Sequence, residues 1–273
     1  MAELQPAAWA FDSIADIFDD RFTPWLSVAA QRRQVREELA AAFPVGARLI
    51  EIGGGTGEDA QWLVEHGREV LLTDASPSMV RVASAKLAGR SGAQTAVADA
   101  ESLGVLAAKR AADGLPLFDG AYSNFAALNC VVDLGPFARG LAQLVRPGAS
   151  VILVLFGTCC PGEIVVEAIR RRPANMLRRF ARGDVPARLS GRAFTVRYHR
   201  RFALAQAMAP WFAPCGRKGI GVFVPPSAAE PWISHHPRLL AGLEALDRAL
   251  SAPLAGLGDH ILYRFNRTDA VAS

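Results

Sequence analysis

A chain of 273 residues, 51% of them hydrophobic, carries enough apolar mass for one large α/β domain or for a domain plus a lid, and too much for a disordered chain. No run reaches the roughly 18 apolar residues of a membrane-spanning helix. Met1–Ala10 has neither a basic nor an apolar stretch, so a cytoplasmic rather than a secreted chain is expected. The net charge of +4 hides an uneven distribution: eleven arginines fall between Arg170 and Arg201, opposed only by Asp184, and the rest of the chain is net acidic.

In chain order, Phe11, Ile14, Ile17 and Phe18 recur at helical spacing. A second helix is expected from about Val28 to Phe43, set apart by Pro24 and stopped by Pro44 and Gly46. A regular alternation follows. Arg48–Ile52 reads as a strand, Glu58–Glu65 as a helix and Glu69–Thr73 as a strand ending at Asp74. Ser76 caps a helix that Pro77 opens. Thr95–Ala98 is a strand ending at Asp99, Phe118–Ser123 another, Pro136–Val145 a helix, and Ser150–Phe156 a wholly apolar strand. After Gly157 the pattern breaks across the arginine segment. Residues 201–212 read as helix, Gly219–Val224 as strand, Pro237–Leu250 as helix and 260–265 as a last strand.

This alternation implies a doubly wound, mostly parallel sheet with helices on both faces. Its parts are a helical cap (1–45), a ligand-binding core (46–156), an Arg-rich lid inserted after the fifth strand (157–200) and a C-terminal segment (201–273) that completes the sheet, with a helical insertion between its sixth and seventh strands. Ligands of such sheets sit beyond the carboxyl ends of the strands.

There lies Glu51-Ile52-Gly53-Gly54-Gly55-Thr56-Gly57. Glycines let the chain turn sharply and approach a ligand, and the next helix offers free N–H groups. Gly55–Ala60 also satisfies a dinucleotide fingerprint, GxGxxA, yet counted from Gly53 the GxGxxG spacing fails at Glu58. Glu51 adds a charge inside a strand, which is costly unless it meets a cation or hydrogen-bond donors. A carboxylate at Asp74 suits both hydroxyls of a ribose, and one at Asp99 suits an exocyclic amine.

The segments LIEIGGGTGEDA, LLTDASPSMV, AVADAESL, FDGAYSNFAALNCV and LAQLVRPGASVIL resemble the ordered motifs of class I S-adenosylmethionine-dependent methyltransferases, in the style of the small-molecule enzymes of ubiquinone and menaquinone biosynthesis. The opening AFDSIADIFD resembles their N-terminal segment, with Phe11 and Phe18 where tyrosines are frequent. The likeness covers about residues 11–156. It implies a seven-stranded Rossmann-like sheet, S-adenosylmethionine as cofactor and S-adenosylhomocysteine as product. It implies Glu51, Gly53, Gly55 and Gly57 around the methionine moiety, Asp74 on the ribose, Ala75 and Met79 beside the adenine, Asp99 and Ala100 at its edge, and Asn124 and Phe125 near the sulfonium.

The acceptor side is less specific. His199 and Tyr198 are candidate catalytic groups, ahead of His235, His236 and His260. Phe22 and Trp25 are candidate substrate walls, with His199. Cys130, Cys159, Cys160 and Cys215 form no CxxC, and no HExxH, nucleophile elbow or P-loop is present; buried thiols and no metal are expected. The arginine segment suits a solvated lid, recognition of an acidic substrate, or contact with nucleic acid or membrane. A small organic acceptor, aromatic, acidic or a specialised metabolite, is the leading expectation. An RNA or protein acceptor, a non-catalytic adenosylmethionine-binding module and non-methylating chemistry on the same cofactor are the alternatives. The oligomeric state stays open.

Overall fold

The computed structural model describes residues 4–270; the two extremities, 1–3 and 271–273, lie outside it. The chain opens with α1 (Pro6–Asp12), α2 (Phe18–Phe22) and α3 (Leu26–Ala42). The core then alternates through β1 (Arg48–Ile52), α4 (Glu58–Glu65), β2 (Glu69–Asp74), α5 (Pro77–Leu87), β3 (Ala93–Val97), α6 (Leu103–Ala112), β4 (Phe118–Ser123), α7 (Leu134–Leu144) and β5 (Val145–Phe156). The inserted segment 157–200, expected as a lid and termed the lid, holds α8 (Pro161–Ile169), the single turn α9 (Pro173–Met176), and the hairpin of β6 (Asp184–Leu189) with β7 (Arg192–Arg197). The C-terminal segment adds α10 (Arg201–Met208), β8 (Phe212–Ile220), α11 (Pro237–Leu250) and β9 (His260–Arg267).

Seven strands form one sheet in the order β3-β2-β1-β4-β5-β9-β8, parallel except that β9 runs against both β5 and β8. The period-2 alternation of side chains sorts the core onto two faces. Ile50, Ile52, Ala121, Val151, Leu153 and Leu155 pack with α6, α7 and α10. Leu49, Tyr122, Ile152 and Val154 pack with α3, α4 and α5. Strands buried on both faces are continuous apolar runs, which is why β1 and β5 are so plain in the sequence. Glu51 occupies a β1 position between the apolar Ile50 and Ile52, and it is buried.

Three expectations shift. The region 11–43 is not two long helices: α1, a 3-10 turn at Ala15–Ile17 and α2 precede the long α3. The strand expected at Gly219–Val224 is β8, which runs earlier, over Phe212–Ile220. As an edge strand it is largely exposed, so only its buried end carries an apolar signal. The helix expected over 201–212 stops at Met208, because Phe212 already belongs to β8. The lid segment carries its own helices and hairpin, and α6 lies where apolar periodicity picks out no helix.

β9 is antiparallel, so its first residue, His260, pairs with Phe156 at the end of β5. The start of β9 therefore shares the ligand edge of the sheet with the ends of the parallel strands. No helix among the described residues is long and apolar enough to cross a membrane.

Candidate functional site

The loop after β1 is held open by its backbone. Gly53, Gly55 and Gly57 all adopt left-handed φ values. At Gly53 there is also no room: a Cβ would lie 2.3 Å from the Cβ of Ala127. The loops after β1 and β4 thus close on one another here. At Gly55 a Cβ would meet nothing within 4 Å, so this backbone is the free rim of the loop. Asp74 braces the rim: one carboxylate oxygen accepts from Gly55 N and the other from Ser76 N, both at 2.9 Å. Burial raises its pKa, and nearby Asp99 pushes the same way against those bonds. Asp99 caps the short turn that follows β3, accepting from Glu101 N at 2.9 Å. Ala75 and Ala100 stand half-buried beside these two acids.

Glu51 lies beneath the loop; a Cβ on Gly54 would approach its Cδ to 2.8 Å. Its Oε2 is buried with no hydrogen-bond partner, and so is the Tyr122 hydroxyl. The two groups are close enough that the hydroxyl draws the Glu51 pKa down, but burial, reinforced by the charge of Asp59, prevails and holds it well above the usual carboxylate range. A buried carboxyl with an oxygen that lacks a close partner is a group that a cation or a donor would satisfy.

Asp59, inside the first turn of α4, is the hub of the site. It accepts from Arg32 Nη1 at 2.8 Å, Arg36 Nε at 2.8 Å and Asn124 Nδ2 at 2.7 Å. Despite complete burial these partners pull its pKa below the ordinary value. Asn124 in turn accepts from Phe125 N through its Oδ1 at 2.8 Å. Phe125 and Ala126 follow with left-handed φ values of 47° and 63°, a strained turn typical of functional sites. The Arg32 guanidinium lies 4.6 Å from the centre of the Phe125 ring.

The cap is tied to this loop by two further acids. Asp19 accepts from Thr56 Oγ1 at 2.6 Å, and Asp12 accepts from Ser76 Oγ and Ser78 N at 2.8 Å each. Ile14 and Ala15 cover Met79, which is fully buried. Phe22 and Trp25 are half-buried in edge contact at 5.0 Å, on an aromatic run that includes Phe11 and Phe18. Phe11 also meets Phe194 of the lid hairpin at 5.8 Å, so cap and lid touch.

Tyr198 and His199 part company. The Tyr198 ring faces Phe156 at 5.9 Å and the Arg179 guanidinium at 5.8 Å. His199 turns to the loop after β4, its Nε2 3.0 Å from Val131 O, and burial lowers its pKa. As a donor to a carbonyl, that nitrogen is not free to take a proton. His260 stands instead beside Tyr198's wall. Its ring stacks on Phe156 at 4.9 Å and meets the edge of Phe125 at 5.6 Å. Its Nδ1 lies 3.2 Å from Gln31 Oε1 and 3.5 Å from Asp259 Oδ2. Two acceptors on that side fix the proton on Nδ1 and leave Nε2 as the basic nitrogen. Burial lowers the His260 pKa, so the ring is neutral near pH 7. Behind it, Arg179 joins Asp259 Oδ1 and Glu163 Oε2 at 2.6 Å each, and Gln31 Nε2 donates to Asp259 at 3.2 Å.

Glu51, the glycines, Asp74, Asp99, Asn124 and Phe125 thus gather at one edge, with Tyr198 nearby and His199 turned aside. Sequence reasoning passes over Asp12, Asp19, Arg32, Arg36, Asp59 and the Gln31–Asp259–Arg179–Glu163 network. Asp59 does sit in the quoted LIEIGGGTGEDA segment, and a second acid two residues past the last glycine was the available signal. The others depend on contacts between distant segments.

Residues 50–151 match the family described as a methyltransferase domain. A ubiquinone/menaquinone biosynthesis C-methyltransferase of Acidiphilium cryptum is 36% identical over 98 residues, which is 34% of this chain and 39% of that protein. The chain's match therefore spans about two fifths of that relative. An S-adenosylmethionine-dependent methyltransferase from Mesorhizobium loti superposes with a TM-score of 0.52 at 24% identity, covering 85% of this chain and 96% of that one. The CcbJ methyltransferase from Streptomyces caelestis gives 0.58 at 15% identity, over 95% and 98%; these two likenesses speak for the fold. With the motif order and the sheet, the matches mark residues 50–151 as similar to a methyltransferase domain and the chain as sharing the Rossmann-like fold of these enzymes.

Removing the hub is expected to be costly. Asp59→Ala leaves two guanidinium groups and an amide without their acceptor, and should lower stability by about 3 kcal/mol, in the range for breaking a buried ion pair; urea unfolding measures it. The contribution has a defined pH window. A carboxylate whose folded pKa is depressed stabilises the fold above its unfolded value of about 3.9, and that stability is lost as pH falls through the folded value. The difference between wild type and Asp59→Ala should therefore shrink in acid.

Proposed function

We propose that this protein is a class I methyltransferase that transfers a methyl group from adenosylmethionine to a small organic acceptor held between the cap, the lid, the ends of β4 and β5 and the start of β9. The observation that carries the reading is the orphaned Glu51 carboxyl beneath a glycine loop, flanked by Asp74 and Asp99 at successive strand ends. A cofactor with a cationic amine, a ribose and an adenine asks for these groups in this order.

Glu51, with the backbone of Gly53, Gly55 and Gly57, would hold the methionine end. Asp74 keeps spare lone pairs on both oxygens and would accept the ribose hydroxyls. Ala75 and Met79 would bound the adenine, Asp99 and Ala100 would read its edge, and Asn124 and Phe125 would lie near the sulfonium. When bound, the cofactor supplies a methyl carbon activated for displacement. The protein's share is alignment and exclusion of water. The Asp59 hub fixes Asn124 and the Phe125 turn, and the Asp12 and Asp19 contacts draw the cap over the loop.

On the acceptor side, Phe125, Phe156, Tyr198 and His260 form an aromatic wall suited to a flat apolar molecule. His260 Nε2 is the group that takes a proton from an acidic acceptor hydroxyl or carbon, a role that fits it better than His199. Asp259 and Gln31 orient the ring. Phe22 and Trp25 would close the cap side.

Calorimetry should detect binding of adenosylmethionine and adenosylhomocysteine; clear NADH binding with neither of them would sink the reading. Charged hydrogen bonds contribute about 1.5–3 kcal/mol each, so Asp74→Ala should weaken cofactor binding by roughly tenfold or more.

Glu51 offers a sharper test. A carboxyl whose folded pKa is raised stabilises the fold below its unfolded pKa, and that stability is lost as pH rises through the folded value. Glu51→Gln should therefore raise the ligand-free Tm at pH 7, with the gain vanishing near pH 4, while weakening adenosylmethionine. In the wild type, pairing with a cation ionises Glu51, so binding should release a proton, readable as a dependence of the binding heat on buffer ionisation.

With any acceptor that yields adenosylhomocysteine, His260→Gln should lower kcat by about 10²–10⁴-fold and leave cofactor affinity unchanged. An equal fall for His199→Gln alone would return the role to that residue.

A further inference from the structure

Helix α8 carries its polarity inside out. Glu163 and Glu167 face inward, the first onto Arg178 and Arg179, the second accepting from Asn175. Val166 packs with the cluster of Ala30, Val224, Ile233 and Leu240. The opposite face presents Val165 and Ile169, one turn apart, with 57% and 77% of their surface exposed. Beyond the helix, Leu177 and Phe180 are exposed to 64% and 45%. Ordinary surface helices turn their apolar stripe inward and their charges outward.

The same stretch is basic. Arg170, Arg171, Arg172, Arg178 and Arg182 are exposed. Arg171, Arg172 and Arg182 close no ion pair among the described residues, and the two acids of α8 are buried and already paired, Glu163 with Arg178 and Arg179 and Glu167 with Arg170. The first acid downstream, Asp184, is paired with Arg197. The outer surface of this part of the lid therefore combines exposed aliphatic side chains, permanent cations and no free carboxylate.

We propose that this surface, the outer face of α8 and the turn from Leu177 to Arg182, docks on an anionic lipid bilayer. Such an interface satisfies both features: aliphatic tips enter the boundary of the acyl chains while guanidinium groups pair with lipid phosphates. A nucleic acid would use the cations and leave the aliphatic groups in water, since its bases stack on aromatic rings and Phe180 is the only one in this stretch. A second copy of the chain, joined across a two-fold axis, would set arginines against arginines. The inner side of the same lid carries Arg179 into the network with Asp259, so docking brings the acceptor wall close to the lipid.

The test is sedimentation of the purified full chain with vesicles of phosphatidylcholine alone and of phosphatidylcholine mixed equally with phosphatidylglycerol. Binding to the mixed vesicles at low salt, little to neutral ones, and weakening as salt rises are expected. Ile169→Asp combined with Leu177→Asp should reduce partitioning at least about tenfold, from the apolar area withheld from the boundary. Arg171→Gln combined with Arg172→Gln should reduce it on mixed vesicles. Both pairs are exposed, and an unchanged thermal unfolding curve verifies the fold. Failure to bind the anionic vesicles at low salt overturns the proposal. So does binding indifferent to the aspartate pair, or a wild-type dimer that this pair converts to monomer. The wild-type salt series decides the matter even where a variant is poorly folded. These measurements read lipid binding alone, so their failure leaves the methyl-transfer reading standing, and the reverse holds.

Discussion

The carboxylate of Asp59 is the constraint from which the site follows. It is completely buried beside an already buried Glu51, a placement that would be prohibitive without compensation. Arg32 and Arg36 come from α3, one helical turn apart on the same face, and Asn124 comes from the end of β4. One group thus joins the cap helix, the helix after the glycine loop and the next strand of the sheet. It also divides labour with its neighbour. Asp59 takes the cations, which draw its pKa down, and its charge adds to the burial that pushes the Glu51 pKa up. Two carboxyls side by side are thus pushed in opposite directions by their surroundings.

Helix α3 is the member through which this constraint spreads. Its Val35 and Leu39 pack on the sheet. Ser27, Gln31 and Gln34, on another face, bond to Glu230, Asp259 and Gly219. Arg32 and Arg36 point to Asp59. The helix therefore couples the cofactor loop on one side to the network behind His260 on the other. Buried polar groups of this kind are satisfied only in one arrangement, so they specify the relative placement of cap and sheet more tightly than apolar packing does.

The central alternation was legible because it rests on local rules. Apolar strands buried on both faces, Ser76-Pro77 opening α5, and glycines at sharp turns each report on their own few residues. The clustering of Glu51, Asp74 and Asp99 was legible for the same reason: they stand at or near the ends of consecutive parallel strands, where topology alone brings them together. The surroundings of His260, the proposed acceptor side, were not. His260 begins an antiparallel strand, so the rule of looking just after each strand passes over it. Gln31 and Asp259 are 228 positions apart, and no periodicity announces their pairing. The choice between His199 and His260 depends on which carbonyl or carboxylate each ring nitrogen meets, and that is decided by tertiary contact.

The arginine segment shows how composition can mislead when it is read as one property. Its eleven arginines do not act together. Arg179 is buried and serves the network at Asp259, and Arg197 pairs with Asp184 across the hairpin and donates to Val132 O in the loop before α7. Arg192 donates to Trp9 O and covers the Trp9 ring, fastening the lid to the cap. What is left facing solvent is a smaller basic set beside aliphatic side chains. Because the inward face of α8 holds Glu163 and Glu167 beside Val166, Val165 and Ile169 are left on the outside. The polarity of that outer surface is therefore a consequence of how the lid is anchored, and the same ion pairs that close the acceptor wall also determine what the lid presents to its surroundings.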